Sequence, residues 1–337
     1  MIVDALADVL WWSGVSRPSR RAAGVLTIVT FHRVLPPAEL AAYPYPGIAV
    51  TPDELDWAVG LLDRHFAIAP VTPSWLDHVD GAPSDKPRLS ITFDDGQWDN
   101  AAFAAPVLDA HSVRATFYIP VEPVRDRALI WHDELGYAIQ HLCARGEESA
   151  AADIAARHGL TAEGHDLVNT VVEAAKGLDP PARSALVGEL VLASTAVGGS
   201  IPDWGRLMSW DEIRTLHRQG HEIGSHSMSH TLLPQLDDAA IHYEVADSKA
   251  AIEAALQAPV TSFCYPNGDN DSRARQAAAA AGYDNGVSTR WGRNRVDANP
   301  YVLARCDWDA RRSRDRQDRP SVPRVAMRLG DLQPGLS

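Results

Sequence analysis

The 337-residue sequence has little of what would assign it to several common classes of protein. Its three cysteines, Cys143, Cys264 and Cys306, form no CxxC pair, which argues against a disulfide framework or a zinc ribbon. Basic residues are also few, with 31 Lys+Arg against 44 Asp+Glu and a net charge of -13. Nucleic acid is therefore not an expected partner, because binding it requires a basic face.

Long apolar runs are missing too, and no stretch is long enough to span a membrane. The N-terminus has an early acid, Asp4, and no basic region before an apolar core, so it does not resemble a signal peptide. We therefore expect a cytoplasmic protein. Residues 6–12 are interpreted as a helix packed on the domain. Peripheral contact with a membrane is the alternative, because Trp11 and Trp12 are followed by arginines.

What the sequence does contain is an alternation of short β-branched runs with amphipathic helical patterns. Strand patterns cover 25–31, 89–93 and 115–120, and Thr51 begins a helical pattern with a capping box. This order predicts βα units around a parallel sheet or barrel. Residues 121–207 interrupt it with mainly helical patterns. We interpret them as a helical insertion that covers or shapes a substrate cleft.

Two adjacent carboxylates end the second of these strands, in the run Thr-Phe-Asp-Asp-Gly at residues 92–96. Neighbouring strand side chains point to opposite sides, and Gly96 allows the chain to turn. Asp94 and Asp95 can therefore take different roles, one binding a metal while the other moves a proton. An ordinary Asp-Asp-Gly turn is the alternative.

A second polar cluster, His-Ser-Met-Ser-His at residues 226–230, places two imidazoles four residues apart. Neutral imidazole is a favoured ligand of zinc and related metals. Together with one carboxylate, His226 and His230 would form a set that leaves coordination positions open for water and substrate. We expect His221 in the core or behind the site. A later strand ends in Tyr-Pro-Asn-Gly at 265–268, a turn whose backbone amides could face an oxyanion.

In this order and separation, Thr-Phe-Asp-Asp-Gly and the histidine pair resemble the polysaccharide deacetylase family, also called carbohydrate esterase family four. The resemblance runs from about residue 25 to 305. It implies an α/β fold, an incomplete (β/α) barrel of about seven strands. We divide the chain into an N-terminal helical segment (1–24), a catalytic domain (25–306) with its insertion at about 121–207, and a polar C-terminal tail (307–337).

The resemblance also implies roles for individual residues. Asp95, His226 and His230 would bind a divalent metal, usually zinc, and Asp94 would act as the base for the water that attacks an acetamide. The backbone N–H of Asn267 would help to hold the oxyanion. The implied partner is an N-acetylated carbohydrate, such as an N-acetylglucosamine glycan or its precursor. Nothing in the sequence indicates an oligomeric state.

Two groups expected from the family are not in their usual places. Cys264 stands where many members have an arginine that orients the base, and no histidine follows His242 to act as the general acid. In family members that act on extracellular poly-N-acetylglucosamine, the order of the site residues is rearranged, and a histidine after the first strand takes the role of the acid. The run Thr-Phe-His-Arg-Val at residues 30–34 resembles that pattern. We therefore hypothesise that His32 protonates the leaving amine and that Arg305 replaces the missing arginine.

Trp98, Trp131 and Tyr265 are the predicted substrate-binding side chains, since aromatic rings can stack on sugars. Trp131, His132, Asp133 and Glu134 could reach the cleft from the start of the insertion, although a packed aromatic beside a helix cap is the simpler interpretation. Two other functions remain open. One is a catalytically silent carbohydrate-binding or scaffold protein that keeps the metal cleft, and the other is an amidohydrolase of a small non-sugar amide. Retention of Asp94 favours an enzyme, because a structural metal site needs no second carboxylate.

Overall fold

The computed structural model describes residues 2–161, 166–196 and 198–332. At its centre lies a ring of seven parallel strands in which each strand pairs with the next along the chain and the last pairs with the first. The strands are β1 (Leu26–Phe31), β2 (Arg88–Phe93), β3 (Thr116–Ile119), β4 (Glu222–Ser225), β5 (Ser262–Cys264), β6 (Asn285–Trp291) and β7 (Leu303–Asp307). The predicted α/β barrel of about seven strands is confirmed.

Apolar side chains fill both sides of this ring. Leu26, Ile28, Tyr118 and Cys264 belong to one buried cluster that draws on several strands, so it lies inside the barrel. Strand side chains that point outwards, such as Phe31, belong to a larger cluster that they form with side chains of the surrounding helices. All six residues of β1 are buried, and burial on both faces explains why its sequence, Leu-Thr-Ile-Val-Thr-Phe, shows no strict alternation of apolar and polar residues.

The outer layer consists of helices that follow the strands. They are Pro52–His65, Ala105–Ala110, Val121–Asp126, Trp210–Arg218, Asp238–His242, Ser248–Leu256 and Ser272–Ala280. Capping boxes at Thr51 and Ser209 begin two of them, as the sequence predicts, and each side chain accepts a hydrogen bond from the backbone N–H three residues later. The helix Val71–Val79 differs, because its Val71 and Trp75 pack against the cluster inside the barrel. Smaller elements precede the second barrel strand: a helix (Pro37–Ala42) and the strands Arg33–Val34, Ala49–Val50 and Ala67–Ile68.

The region between β3 and β4 contains four long helices, Trp131–Ala144, Glu148–Arg157, Leu167–Ala175 and Pro180–Ala196. They pack around an apolar cluster of their own that includes Leu135, Ile139, Val171 and Leu186. The first of them starts beside the carboxyl end of the barrel, where it meets the polar residues described below.

The two ends of the described chain pack on each other. The N-terminal helix Ile2–Trp12 and the short helix Pro18–Arg21 precede β1, and the first of these contacts the helix Val322–Leu329. The segment expected to be a polar tail therefore contributes buried side chains, Val325 and Met327 among them. Within the described ranges, no helix combines the length and apolar character that a membrane crossing requires.

Candidate metal centre and active-site cleft

The predicted polar residues converge at the carboxyl ends of the barrel strands. Asp94 and Asp95 directly follow β2, His226 directly follows β4, and Arg305 lies in β7. In a parallel barrel these strand ends meet at one rim, where side chains from distant parts of the sequence can form a single site.

Asp95, His226 and His230 form a compact cluster. Oδ1 of Asp95 lies 3.3 Å from Nε2 of His226 and 3.2 Å from Nε2 of His230, and the three potential ligand atoms are within 4.8 Å of one another. Nδ1 of His226 is 2.8 Å from the carbonyl oxygen of Cys264, which leaves Nε2 free to face the cluster. All three side chains are buried.

The backbone around this cluster adopts conformations that non-glycine residues rarely use. Asp95 has a φ of 72°, Ser227 of 69°, His230 of 60° and Asn267 of 57°. Such left-handed residues cost about 1–3 kcal/mol each and concentrate at functional sites. Here they turn the chain immediately after the barrel strands, so that the polar side chains point towards a common centre.

The buried carboxylate of Glu244 holds the loop at residues 226–230 in place, a role that the sequence did not indicate. Glu244 accepts hydrogen bonds from the backbone N–H groups of Met228 and Ser229, both at 2.9 Å. The hydroxyl of Ser227 accepts another from the N–H of His230 at 3.0 Å. These contacts fix the positive φ angles of the loop. Nothing in the local pattern around Glu244 signals this role, because its partners lie 15 and 16 residues earlier.

The protonation states of Asp95 and His230 suit a metal site. Burial lowers the pKa of His230 to about 4, so that its ring is neutral at pH 7, the form that can bind a metal. Burial would raise the pKa of Asp95, but hydrogen bonds with His226 and His230 reverse this effect and hold it well below its usual range. Burial would lower the pKa of His226 too, but Cys264 and Asp95 hold it well above its usual range, so this ring would release a proton on binding a metal. The cluster thus offers two imidazoles and one charged carboxylate.

Asp94 forms a buried ion pair with Arg305. Nη1 and Nη2 of Arg305 donate to the two carboxylate oxygens at 2.8 and 2.7 Å, and Nε donates to the carbonyl oxygen of Ser288 at 2.9 Å. Burial disfavours the charged carboxylate, but the guanidinium more than compensates and lowers the pKa of Asp94. The thiol of Cys264 lies 3.6 Å from the same carboxylate and 3.4 Å from Nη2 of Arg305.

The remaining predicted residues of the reaction surround this pair. Nε2 of His32 is 3.8 Å from Oδ2 of Asp94, and its side chain is 26% exposed. His32 and Asn267 both line a cleft of about 770 Å³, including space open to solvent, together with Asp94 and Asp95.

The helical insertion supplies part of the cleft wall. Trp131, His132, Val172 and Lys176 line it opposite the barrel residues. Trp131 therefore lies where a sugar ring could contact it. His132 was not among the predicted site residues, although its Nε2 lies 3.8 Å from Oδ2 of Asp95.

Two of the predicted substrate-binding residues do not line this cleft. Trp98 packs against Phe103 and the guanidinium of Arg206, because the chain turns outwards after Gly96 and carries Trp98 away from the site. Tyr265 is fully buried, and its hydroxyl donates to a backbone carbonyl oxygen at 2.9 Å. It follows β5 directly and points away from Cys264, into the layer between barrel and helices.

Comparison with known proteins agrees with this geometry. Residues 163–286 match the family model described as polysaccharide deacetylase. The predicted resemblance to the polysaccharide deacetylase family is confirmed. The matched stretch contains His226, His230 and Asn267, whereas Asp94 and Asp95 precede it and are brought to it by the fold. No curated protein matches the chain at the level of sequence.

Several solved structures share the fold. The deacetylase PplD of Streptococcus pyogenes, solved in complex with acetate, is 16% identical with a TM-score of 0.55, covering 85% of this chain and 92% of its own. IcaB from Ammonifex degensii is 15% identical with a TM-score of 0.52, covering 92% and 97%. A polysaccharide deacetylase from Bacillus cereus is 15% identical with a TM-score of 0.53, covering 84% and 64%.

Proposed function

We propose that the protein is a metal-dependent deacetylase that hydrolyses N-acetyl groups of an amino-sugar-containing glycan or glycan precursor. One observation carries this proposal: a charged carboxylate, Asp94, held by Arg305, lies in the same cleft as the cluster of Asp95, His226 and His230. A purely structural metal site would not need the ion pair of Asp94 and Arg305.

The residues of the cluster fit a divalent metal, with zinc the expected ion. Two imidazole nitrogens and one carboxylate oxygen converge from two loops, as in zinc sites that retain an open position. Nδ1 of His226 is held by a backbone carbonyl oxygen, which fixes the ring with Nε2 directed inwards. A metal held there would polarise the acetyl carbonyl group and activate water for attack.

The other residues would move protons and hold charge. Asp94 is ionised at neutral pH because Arg305 lowers its pKa, so it can accept the proton of the attacking water. The two parallel hydrogen bonds from Arg305 also fix the orientation of the carboxylate. His32, on the solvent side of Asp94, would protonate the leaving amine. The backbone N–H of Asn267 would donate to the developing oxyanion.

The cleft also suits a carbohydrate. Trp131 offers an aromatic face, and Tyr45 and Lys176 offer polar groups along the same wall. The structural relative PplD was solved with acetate, the product that deacetylation releases. An N-acetylglucosamine polymer, including an exopolysaccharide, is the substrate class that we propose.

Acetate release from N-acetylglucosamine oligomers tests this function. We expect the zinc-loaded protein to release acetate, and the Asp94→Asn variant to lose about 10²–10⁴-fold in rate while keeping its metal. Release from small amides but not from sugars would favour the amidohydrolase alternative. A zinc-loaded protein that releases acetate from neither would contradict the proposal and favour the silent binding protein.

We further propose that the exposed side of the N-terminal helix contacts an anionic membrane surface. Trp12 is 77% exposed and Val9 64% exposed, and exposed Arg17 and Arg20 follow them in the chain. Aromatic and aliphatic side chains next to cations suit the headgroup region. We expect co-sedimentation with vesicles containing phosphatidylserine, weakened in Trp12→Ala. Wild-type protein that stays in the supernatant at low salt would contradict this.

A further inference from the structure

His132 has a buried ring nitrogen that nothing in the described structure satisfies. It lies in the first turn of the insertion helix Trp131–Ala144, and its side chain is 12% exposed. Nε2 is closed off from solvent and has no hydrogen-bond partner among the described residues. Leaving such a group unpaired costs about 1–3 kcal/mol, so a purely structural role does not explain its position.

The two oxygens of Asp95 face different groups. Oδ1 faces the two imidazoles of the cluster, at 3.3 Å from His226 and 3.2 Å from His230. Oδ2 faces His132, whose Nε2 lies at 3.8 Å. The same Nε2 is 3.8 Å from Oδ1 of Asp133, but that oxygen already accepts a hydrogen bond from Tyr43. A metal bound through Oδ1 and the two imidazoles would leave Oδ2 available to a hydrogen-bond donor. Carboxylates that bind metals are normally held in this way.

A buried network fixes His132 relative to Asp95. The next residue, Asp133, accepts hydrogen bonds from the hydroxyl of Tyr43 at 2.6 Å and from Nε2 of Gln97 at 2.9 Å. Gln97 is two residues after Asp95 and belongs to the same loop. The loop that carries the carboxylate is therefore bonded to the helix that carries His132.

We propose that His132 is a positioning residue of the metal centre, whose Nε2–H donates to Oδ2 of Asp95 and keeps Oδ1 directed at the ion. The helical insertion is then a component of the metal centre in addition to forming a wall of the cleft. This inference rests on the proposed function, because it concerns the metal ion that the proposed reaction requires.

Zinc affinity, measured by competition with a chromophoric chelator, tests this role without using activity. We expect His132→Ala to weaken zinc binding about 10–100-fold, the range seen when partners of metal ligands are removed. His132→Gln should restore most of the affinity, because its amide N–H can occupy the position of Nε2. The exposed His242 provides the matched control, and His242→Ala should bind zinc as the wild type does.

Several results would overturn the proposal. The first is a zinc affinity of His132→Ala equal to that of the wild type. The second is a zinc affinity of both His132→Ala and His132→Gln as low as that of His226→Ala, because His132 would then be a direct ligand. If His132→Ala does not fold, as judged by thermal unfolding without metal, His132→Asn replaces it, since that shorter amide cannot reach Oδ2. Failure of the wild type to bind zinc would contradict the proposed function itself, whereas normal wild-type binding with an unaffected His132→Ala would contradict this inference alone.

Discussion

Moving the arginine that pairs with Asp94 from one strand to another tests how the cleft keeps this carboxylate charged. Cys264 ends β5, and its sulfur lies 3.6 Å from Asp94 and 3.4 Å from Arg305. An arginine at position 264 could therefore pair with Asp94 in the volume that Arg305 vacates. The substitutions are Arg305→Ala and Cys264→Arg, made separately and together.

The structure sets the expected magnitudes. Arg305→Ala leaves Asp94, which is 2% exposed, without its countercharge, and breaking a buried pair in this way costs about 3–5 kcal/mol. Cys264→Arg alone places a second guanidinium in a filled site and should also destabilise the fold. In the double variant the ion pair can form again. Its loss of stability should be smaller than the sum of the single losses by about 2 kcal/mol, within the range for residues in contact.

Urea unfolding of the four proteins at pH 7 measures this coupling. The comparison must be made near neutral pH: the pKa of Asp94 is lowered in the folded state, so the stability from its ion pair is present above the ordinary carboxyl pKa and disappears as the pH falls through the folded value. The exposed pair of Arg125 and Asp126 gives a control, and Arg125→Ala should change nothing measurable. Strictly additive losses in the double variant would refute this account of the pair.

Three further predictions concern the frame around the cleft. Burial lowers the pKa of His221 from 6.5 to about 4, so the unfolded chain binds this proton first and the fold loses about 2–3 kcal/mol between pH 8 and 4.5. His221→Asn, whose amide oxygen can take the place of Nδ1 and still accept the hydrogen bond from the N–H of Ala115, should lack that loss in urea unfolding at the two pH values. Gly224→Ala places a Cβ 2.5 Å from the ring of Tyr118 and should lower stability by about 1–3 kcal/mol in thermal unfolding; an unchanged midpoint would contradict this packing. Thr51→Ala removes a helix cap and should cost about 1 kcal/mol, whereas Thr51→Ser should not.

Local patterns in the sequence were enough to predict βα units around a parallel sheet or barrel and two groups of polar residues at strand ends, whereas the barrel of about seven strands was implied by the family resemblance. The strand at 89–93 is a mainly apolar run ending at two carboxylates, and the loop at 226–230 follows the short strand Glu222–Ser225. Because the carboxyl ends of parallel strands meet at one rim, strand assignment alone brings these residues together. The ion pair of Asp94 and Arg305 could be hypothesised only because Cys264 occupied the position expected for an arginine.

Features that depend on the direction of a turn or on distant packing could not be predicted. Trp98 lies three residues after Asp95, but the turn after Gly96 directs it away from the cleft. The position of His132 depends on a buried network between separate loops. The helix Val322–Leu329 is a different case, because its signal is present in the sequence: Ser321 caps it, and Val325, Ala326 and Leu329 recur at helical spacing. The prediction of a polar tail over 307–337 did not use that signal.

The metal content of the protein tests the central claim most directly. Wild-type protein and the double variant Asp95→Ala/His226→Ala would be incubated with zinc and dialysed against metal-free buffer. Their zinc content would then be measured by inductively coupled plasma mass spectrometry. The geometry of the cluster predicts one zinc ion per wild-type chain and none in the variant. Wild-type protein that retains no more zinc than the variant would contradict the metal centre on which the proposed function depends.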